Sequence, residues 1–334
     1  MRTFTVAVVA AMLMVGSAAQ AGTAWSPPRT SQGRPQLSGV WSNASVTVLN
    51  RPPGVAKLVL SEAEARATAA RSPLVQAMAA DEKPSVVDDN LLADGNAGAG
   101  YNAYWMDPGQ TLGRVNGEYR TSWIVSPQDG RLPLSEAGRG AGKARAAAAA
   151  STPIGPESLA PWDRCLIASR GSGGPGMLNN IYNSHYQIVQ TPDAIAIVAE
   201  MVHDARTIPI FPDKAAARAG HGAAAAARWL GDSTAWWEGD TLVIETVNVH
   251  PEQGRSGPIF LSPKARVTER LSRASDKQLL YAFEVNDPVY YTRAWRAEMS
   301  LNAIKGPVYE YACHEGNYAI VGILGAARQL EGPR

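Results

Sequence analysis

The sequence has almost no excess charge of either sign. Its 334 residues include 31 Lys and Arg against 30 Asp and Glu, a formal net charge of +1. Proteins whose main partner is nucleic acid carry a strongly basic face, so we expect no nucleic-acid partner. Two motifs are also missing. Residues 171–176 are glycine-rich but lack the lysine of a phosphate-binding loop, and no G-x-S-x-G nucleophile motif occurs. We therefore expect no cofactor.

Long apolar runs are missing everywhere except near the first residue. Residues 4–19 are apolar, but this run is short of the ~20 residues that a membrane-spanning helix needs. The A-Q-A tripeptide at 19–21 has the pattern that a signal peptidase reads. We expect residues 1–21 to be a signal peptide, with an uncleaved membrane anchor as the alternative. The protein is then periplasmic or secreted and has no membrane span.

Cysteine is scarce, because the chain contains only Cys165 and Cys313. An even pair in an oxidising compartment predicts a disulfide, and two buried free thiols are the alternative. The bridge would bring residues 162–164 close to the segment that follows Cys313. A catalytic thiol is not expected, since it would have to stay reduced outside the cytosol.

Helical patterns are confined to a few segments. Residues 61–64 read S-E-A-E, a capping box that predicts a helix over 62–80. An N-cap serine and a run of alanines predict a second helix over 135–150. Residues 215–228 form an alanine-rich insertion with helical composition and little to bury, so we interpret it as a surface excursion. The segment 22–150 is otherwise irregular.

Short β-rich segments separated by turns dominate the rest of the chain. Leu279, Tyr281, Phe283 and Val285 fall on one face of a predicted strand with Glu284 on the other, which is typical of a strand with one buried face. We predict strands at residues 37–41, 119–127, 186–189, 195–203, 205–210, 236–246 (a hairpin), 265–271, 279–285, 291–299 and 308–313. The absence of helices between the later strands predicts a mainly β fold, an antiparallel meander over 182–328 that curls into a lipocalin-like barrel or half-barrel. We expect residues 22–334 to form a single β-rich domain.

Three motifs resemble those of a family of secreted bacterial proteins. They are E-M-V-H-D-A-R at 200–206, W-E-G-D-T-L-V-I-E-T at 237–246 and Y-E-Y-A-C-H-E-G-N-Y at 309–318, and the resemblance covers most of 120–328. It implies an exported protein, but the family is largely uncharacterised, so no reaction and no catalytic residue follow from it. The chain departs from the family pattern in its alanine-rich insertion and in His185, where a neutral polar residue is expected.

Ionisable residues concentrate in two of these motifs. His203, Asp204 and Arg206 form the first candidate catalytic group, and His314 and Glu315 form the second. Histidine suits proton transfer near neutral pH, carboxylates can orient it, and arginine can stabilise negative charge. The structural alternatives are an Asp–Arg pair that ties a strand end and a polar turn that satisfies backbone groups.

A metal site would have to use histidines from separate strands. His185, His203 and His314 could combine with Glu200 or Glu315, but no His-x-His or His-x-x-x-His spacing occurs, so we expect no metal. His221 and His250 are expected to be solvated.

Aromatic residues with a polar edge are abundant, with nine Trp and eleven Tyr against four Phe. Such side chains suit a binding cavity with partly wet contacts, and core packing is the alternative. Those on predicted strands are candidates to bind an aromatic, terpenoid or sugar-like molecule: Trp236, Trp237, Tyr281, Tyr291 and Trp295.

The leading functional hypothesis is an exported, cofactor-independent enzyme, a lyase or hydrolase that acts on a small organic molecule by acid–base catalysis. A periplasmic lipocalin-like binding protein without turnover and a structural envelope protein are the alternatives. The enzyme hypothesis requires the segments near residues 200 and 314 to meet in the fold. The sequence leaves the oligomeric state open.

Overall fold

The computed structural model describes residues 25–81, 106–223, 227–315 and 317–331. The predicted signal peptide, residues 1–21, lies outside these described residues. Within them, every helix is too short or too polar to traverse a lipid bilayer.

Most of the strand residues belong to one antiparallel sheet. The strands are β1 (Gly39–Ser42), β2 (Val59–Leu60), β3 (Arg114–Val115), β4 (Glu118–Arg120), β5 (Ile124–Ser126), β6 (His185–Gln190), β7 (Ala194–Ala199), β8 (Ala205–Pro209), β9 (Asp232–Glu238), β10 (Thr241–Val247), β11 (Arg266–Ser275), β12 (Gln278–Asn286) and β13 (Trp295–Ala303). Their order in the large sheet is β8-β7-β6-β1-β13-β12-β11-β10-β9, and β5 pairs with β13. Strands β2, β4 and β3 form a separate small sheet.

The two edges of the large sheet nearly meet. A parallel bridge joins Ile210, after β8, to Ala235 in β9, and the Phe211 amide donates to the Ala235 carbonyl at 2.7 Å. Closure removes unpaired strand edges, which would otherwise attract other chains. The predicted antiparallel sheet that curls into a barrel is therefore confirmed.

The barrel interior is filled by apolar and aromatic side chains. The predicted alternation in β12 is present, because Leu279, Tyr281, Phe283 and Val285 are all at most 1% exposed while Glu284 is exposed. The largest buried side chains beside them are Trp41, Trp123, Trp295 and Tyr186. Two close ring pairs, Phe283–Trp295 and Tyr291–Trp295, meet edge to face with centroids 5.6 Å apart. This packing stabilises the barrel by burial of apolar area.

The glycine-rich segment 171–176 packs onto the interior side chains. Gly174 has φ +92°, and a Cβ at this position would lie 2.8 Å from the guanidinium carbon of Arg206. The Met177 amide, just after the segment, donates to the Tyr281 hydroxyl at 3.0 Å. Only glycine combines this backbone conformation with so close an approach to a buried side chain.

In the part of the chain that the structure describes, five α-helices lie outside the barrel wall: α1 (Glu62–Ala70), α2 (Pro73–Asp81), α3 (Glu136–Ala150), α4 (Lys214–Ala219) and α5 (Tyr318–Leu330). The predicted helix 62–80 is two helices, because Pro73 cannot continue α1 and instead begins α2. The capping box at Ser61 and the N-cap at Ser135 are both present, so the predicted helix 135–150 is confirmed.

The alanine-rich insertion packs against the barrel, contrary to the prediction. Ala217 of α4 is fully buried with Trp236 and Val243 on the outer face of the β9–β10 hairpin. His221, expected to be solvated, has a side chain only 9% exposed and lies 3.3 Å from Asp232 and 3.6 Å from Glu245. A run of alanines buries little area by itself, but its small side chains let the backbone approach the hairpin closely.

Two further predictions about strands were wrong. The strand predicted at 195–203 ends at Ala199, and residues 201–203 form a 3-10 turn in which Val202 and His203 have positive φ. The strand predicted at 308–313 is an irregular tail without sheet pairing, and it leads into α5, which the sequence analysis did not predict. The amides of Tyr309 and Tyr311 donate to side chains of the turn after β7 instead of pairing with a strand, which a β-rich composition does not reveal.

Candidate active site

The fold brings the segments near residues 200 and 314 together. The turn after β7 carries Glu200 and His203, and the tail runs alongside it. The Tyr309 amide donates to Glu200 Oε2 at 2.9 Å, and the Tyr311 amide donates to His203 Nε2 at 3.1 Å. The juxtaposition on which the enzyme hypothesis depends is therefore present.

A disulfide holds the tail on its other side. Cys165 and Cys313 are bonded with an S–S distance of 2.03 Å and are 148 residues apart in sequence. The Asn317 amide group donates to the Asp163 carbonyl at 3.1 Å, which adds a second contact beside the bridge. The predicted disulfide pairs the loop over residues 159–165 with the tail.

A cleft opens between these two segments, and we call it the disulfide cleft. Its volume is about 640 Å³, within the range typical of ligand pockets. It is lined by apolar, aromatic and acidic side chains: Leu159, Trp162, Asp163, Glu310, Tyr311, Glu315, Ile320 and Ile323, with Asn183, Ala312, Cys313, Asn317 and Ala319. Partial burial raises the pKa of Asp163, whose carboxylate accepts the Ala160 amide at 3.2 Å. Glu315 is exposed toward the cleft.

The second predicted catalytic group, His314 and Glu315, lies on the tail. Glu315 lines the disulfide cleft, and His314 is an exposed neighbour between it and the bridged Cys313. Among the described residues, no hydrogen bond joins His314 to His203.

His203 is exposed, and its hydrogen bond to the tail defines the tautomer of its ring. Since Nε2 accepts the Tyr311 amide, the neutral ring carries its proton on Nδ1. The Nε2 lone pair, with which His203 would accept a proton as a general base, is therefore occupied by the Tyr311 amide. In this geometry His203 positions the tail, and its Nδ1–H is the group free to donate.

Asp204 and Arg206 face away from the disulfide cleft. The Asp204 carboxylate accepts the Ala168 amide at 2.8 Å, and burial raises its pKa to about 6. Arg206 points into the barrel and forms a two-bond ion pair with Glu269, at 2.5 and 2.9 Å, while the Tyr281 hydroxyl donates to Glu269 at 2.5 Å. His203 is the last residue of the 3-10 turn, and the chain continues through Asp204 into β8, which carries Arg206.

The buried carboxylate of Glu200 anchors the turn after β7. Glu200 is 3% exposed and accepts Asn183 Nδ2 at 2.8 Å. His185 lies between two carboxylates, with Nδ1 3.2 Å from Glu200 Oε1 and Nε2 3.4 Å from Asp107 Oδ2. The hydrogen bond to Asp107 is the main cause of the raised pKa of His185, and Glu200 adds to it. His185 thus supports the turn that carries Glu200 and His203.

The aromatic residues predicted to bind substrate lie in or against the core. Tyr281, Tyr291 and Trp295 fill the barrel interior, and Trp236 is covered by α4. Trp237 is partly buried, with the Arg34 guanidinium 5.6 Å above its ring. These contacts favour the core-packing interpretation for the set. His250, expected to be solvated, stacks on Trp229 with ring centroids 4.2 Å apart.

In the described parts of the chain, no group of three or more His, Cys, Asp and Glu residues has a geometry suited to a metal ion. Three residues that line the cleft are not among the catalytic and substrate-binding residues predicted from the sequence: Trp162, Asp163 and Glu310. The neighbourhood of Cys165 was the signal that could have found the first two, since the bridge brings them beside the tail.

Comparison with protein-family models gives no match, and neither do comparisons with curated proteins and with solved structures.

Proposed function

We propose that the protein is an exported enzyme that acts by acid–base chemistry on a small organic molecule bound in the disulfide cleft. One observation carries this proposal: Asp163, a carboxyl whose pKa burial raises, lines the same cleft as Glu310 and Glu315 among apolar and aromatic walls. Carboxyl groups with different environments in one cleft are the usual basis for separate acid and base roles.

The roles follow from the environments of the side chains. Asp163, which holds its proton more tightly than an exposed carboxyl, is the general acid, and Glu315 is the base. His314, exposed beside Glu315, is the second proton-transfer group of the tail. Trp162 and Ile320 hold the apolar part of the substrate. This set supports elimination or hydrolysis, so the enzyme is a lyase or a hydrolase.

His203, Asp204 and Arg206 have supporting roles in this scheme. His203 positions the tail through Tyr311, and Asp204 ties the loop at Ala168 to the turn. Arg206 is buried with Glu269 and does not contact the substrate. The barrel interior is filled by side chains, so we place the ligand in the cleft rather than in a lipocalin-like interior cavity.

Export is part of the proposal. The Cys165–Cys313 bridge supports a compartment that is oxidising, and disulfides persist in the periplasm or outside the cell. The resemblance to secreted bacterial proteins supports the same location.

The proposal is tested by profiling small molecules with liquid chromatography and mass spectrometry. The purified protein is incubated with a panel of aromatic, terpenoid and sugar-like compounds that carry ester, glycosidic or eliminable bonds. We expect one compound class to be consumed, with the rate reduced about 100-fold or more in Asp163→Asn and Glu315→Gln, since general acid–base catalysis contributes roughly that much. Glu284→Gln, an exposed carboxylate on β12, is the control and keeps the full rate.

Two results would contradict the proposal. Unreduced turnover in both variants would remove the cleft carboxylates from the reaction. A compound that binds and returns unchanged would show a binding protein without turnover.

A further inference from the structure

A second cavity continues the disulfide cleft along α3. This helix cavity has a volume of about 500 Å³ and shares Leu159, Trp162, Asp163 and Ile323 with the cleft. Four shared lining residues make the two cavities one groove that crosses Trp162. Two exposed apolar residues follow lining residues in sequence: Ile154 comes after Pro153 and Val321 after Ile320. The groove is therefore long enough for a ligand to extend beyond the proposed reaction site.

The two ends of the groove carry opposite charge. The disulfide cleft contributes Glu310 and Glu315, while Arg145 and Arg255 line the helix cavity. Asp163 lines both, in the middle of the groove. A negatively charged ligand group is repelled from the cleft end and attracted to the α3 end.

Arg145 is the cation at the α3 end that is available to a ligand. Among the described residues, no carboxylate lies within ion-pair distance of it. One guanidinium nitrogen donates to the Gly257 carbonyl, and the group lies over the Phe260 ring, 4.9 Å from its centroid. Its partial burial lowers the pKa of Arg145. A half-buried guanidinium without a counter-ion favours the binding of an anion, which restores charge balance.

Arg255, the other cation of the helix cavity, is already engaged. Its guanidinium donates to the carbonyls of residues 157–159 and to Glu252 Oε2 at 2.6 Å. These bonds use its Nη donors and neutralise its charge, so Arg255 shapes the cavity without offering a free site.

We propose that the ligand of this groove is an apolar carboxylic acid, whose carboxylate binds Arg145 and whose apolar body crosses Trp162 and Ile323 toward the disulfide cleft. The inference deepens the proposed function and rests on it for the end at which the reaction occurs. Arginine recognises carboxylates with paired N–H donors, and the aromatic ring offers a flat apolar surface to an aromatic or isoprenoid body.

Isothermal titration calorimetry with two matched probes tests the inference. The probes are 2-naphthoate and 2-naphthamide, which share the apolar body and differ in charge, and neither carries an ester, a glycosidic bond or a group that can be eliminated. We expect the full-length protein to bind 2-naphthoate at least about tenfold more tightly than 2-naphthamide, because charge-assisted hydrogen bonds are the stronger class. Arg145→Gln is expected to abolish this preference while the affinity for 2-naphthamide is unchanged.

Two further variants separate the effect of Arg145 from general effects of charge and folding. Lys143→Gln removes a positive charge from the exposed side of the same helix and is expected to leave both affinities unchanged. Arg145→Lys keeps the charge and is expected to keep part of the preference, and urea midpoints verify that each variant is folded.

Equal binding of the two probes, binding of neither, or a preference that survives Arg145→Gln would overturn the inference. Asp163→Asn and Glu315→Gln are expected to retain the preference for 2-naphthoate. A protein that shows this preference but turns over no compound would therefore contradict the proposed function and not the ligand class.

Discussion

Asp204 is a carboxyl group that its surroundings make hard to ionise. Its carboxylate is enclosed by the loop over residues 168–173, and a Cβ on Gly173 would lie 2.2 Å from Asp204 Oδ2. The Ala168 amide donates to it and Arg206 favours its charge, yet desolvation dominates and raises its pKa to about 6. The folded state therefore binds a proton at Asp204 more tightly than the unfolded chain does.

The sign of the pH effect follows from linkage. The favourable contribution of Asp204 to the free energy of unfolding is complete below pH 3.8, the ordinary pKa of the group. It is lost as the pH rises to about 6, the pKa in the folded state. A pKa raised from 3.8 to about 6 corresponds to about 3 kcal/mol in the free energy of unfolding. We expect Asp204→Asn, which keeps the acceptor for Ala168, to raise the free energy of unfolding relative to wild type by up to this amount at pH 8 and by little at pH 4.

Urea unfolding at several pH values measures this difference. Asp193→Asn, an exposed carboxylate in the turn before β7, is the control and is expected to show no comparable dependence on pH. A difference between Asp204→Asn and wild type that is the same at pH 4 and pH 8 would contradict the burial effect.

Helix α3 shows how one element depends on the contacts of individual glycines. Its N-terminal end is fixed to the loop before β13, because the Ser135 amide and hydroxyl donate to the Tyr290 and Val289 carbonyls. Gly138 lies against this loop, and a Cβ there would be 2.3 Å from the Tyr290 carbonyl oxygen. Gly142, one turn later, has open space where a Cβ would be. The same residue type is therefore required at one position and replaceable at the other.

Alanine at these two positions is expected to have opposite effects. Gly142→Ala should raise the free energy of unfolding by about 1 kcal/mol, because alanine is the better helix former. Gly138→Ala should lower it by about 1–3 kcal/mol, since the helix must move away from the Tyr290 carbonyl. Urea unfolding of the two variants measures both effects, and a gain in stability from both would refute the contact at Gly138.

The molecule as a whole consists of a barrel and a tail that the disulfide joins to it. The last barrel strand ends at Ala303, and Ala327 is the residue of α5 that is buried. The tail nevertheless supplies one wall of the disulfide cleft. We therefore expect the barrel to fold without the tail, and the cleft to require the bridge.

Replacing both cysteines by serine is expected to release the tail. The loop that the bridge closes is long, so its loss should lower the free energy of unfolding by about 5 kcal/mol if chain entropy dominates. Chymotrypsin should then cleave at Tyr309, Tyr311 and Tyr318 while far-ultraviolet circular dichroism retains the β signal. Wild type treated with dithiothreitol should behave like the variant, and the variant should be insensitive to dithiothreitol.

A tail that resists chymotrypsin in the doubly substituted protein would show that the contacts of Glu200 and His203 hold it without the bridge. Loss of the β signal would instead show that the barrel depends on the bridge.

Local sequence was sufficient wherever one period or one residue type carries the structural signal. The alternation from Leu279 to Val285 indicated the buried face of β12, and Ser61 and Ser135 indicated helix starts. Two cysteines in a chain predicted to be exported indicated the bridge. These features depend on neighbours within a few residues or on the number of cysteines, so they can be predicted without knowledge of the fold.

The composition of the cleft and the direction of single side chains depended on contacts between distant residues. The positive φ values at Val202 and His203 turn His203 outward, and Arg206 turns inward because Glu269, 63 residues later, is its partner. Asp163 acquires its raised pKa only when the loop folds around it. Periodicity cannot report such effects, because a side chain's exposure, partner and charge state are set by whatever the rest of the chain packs against it.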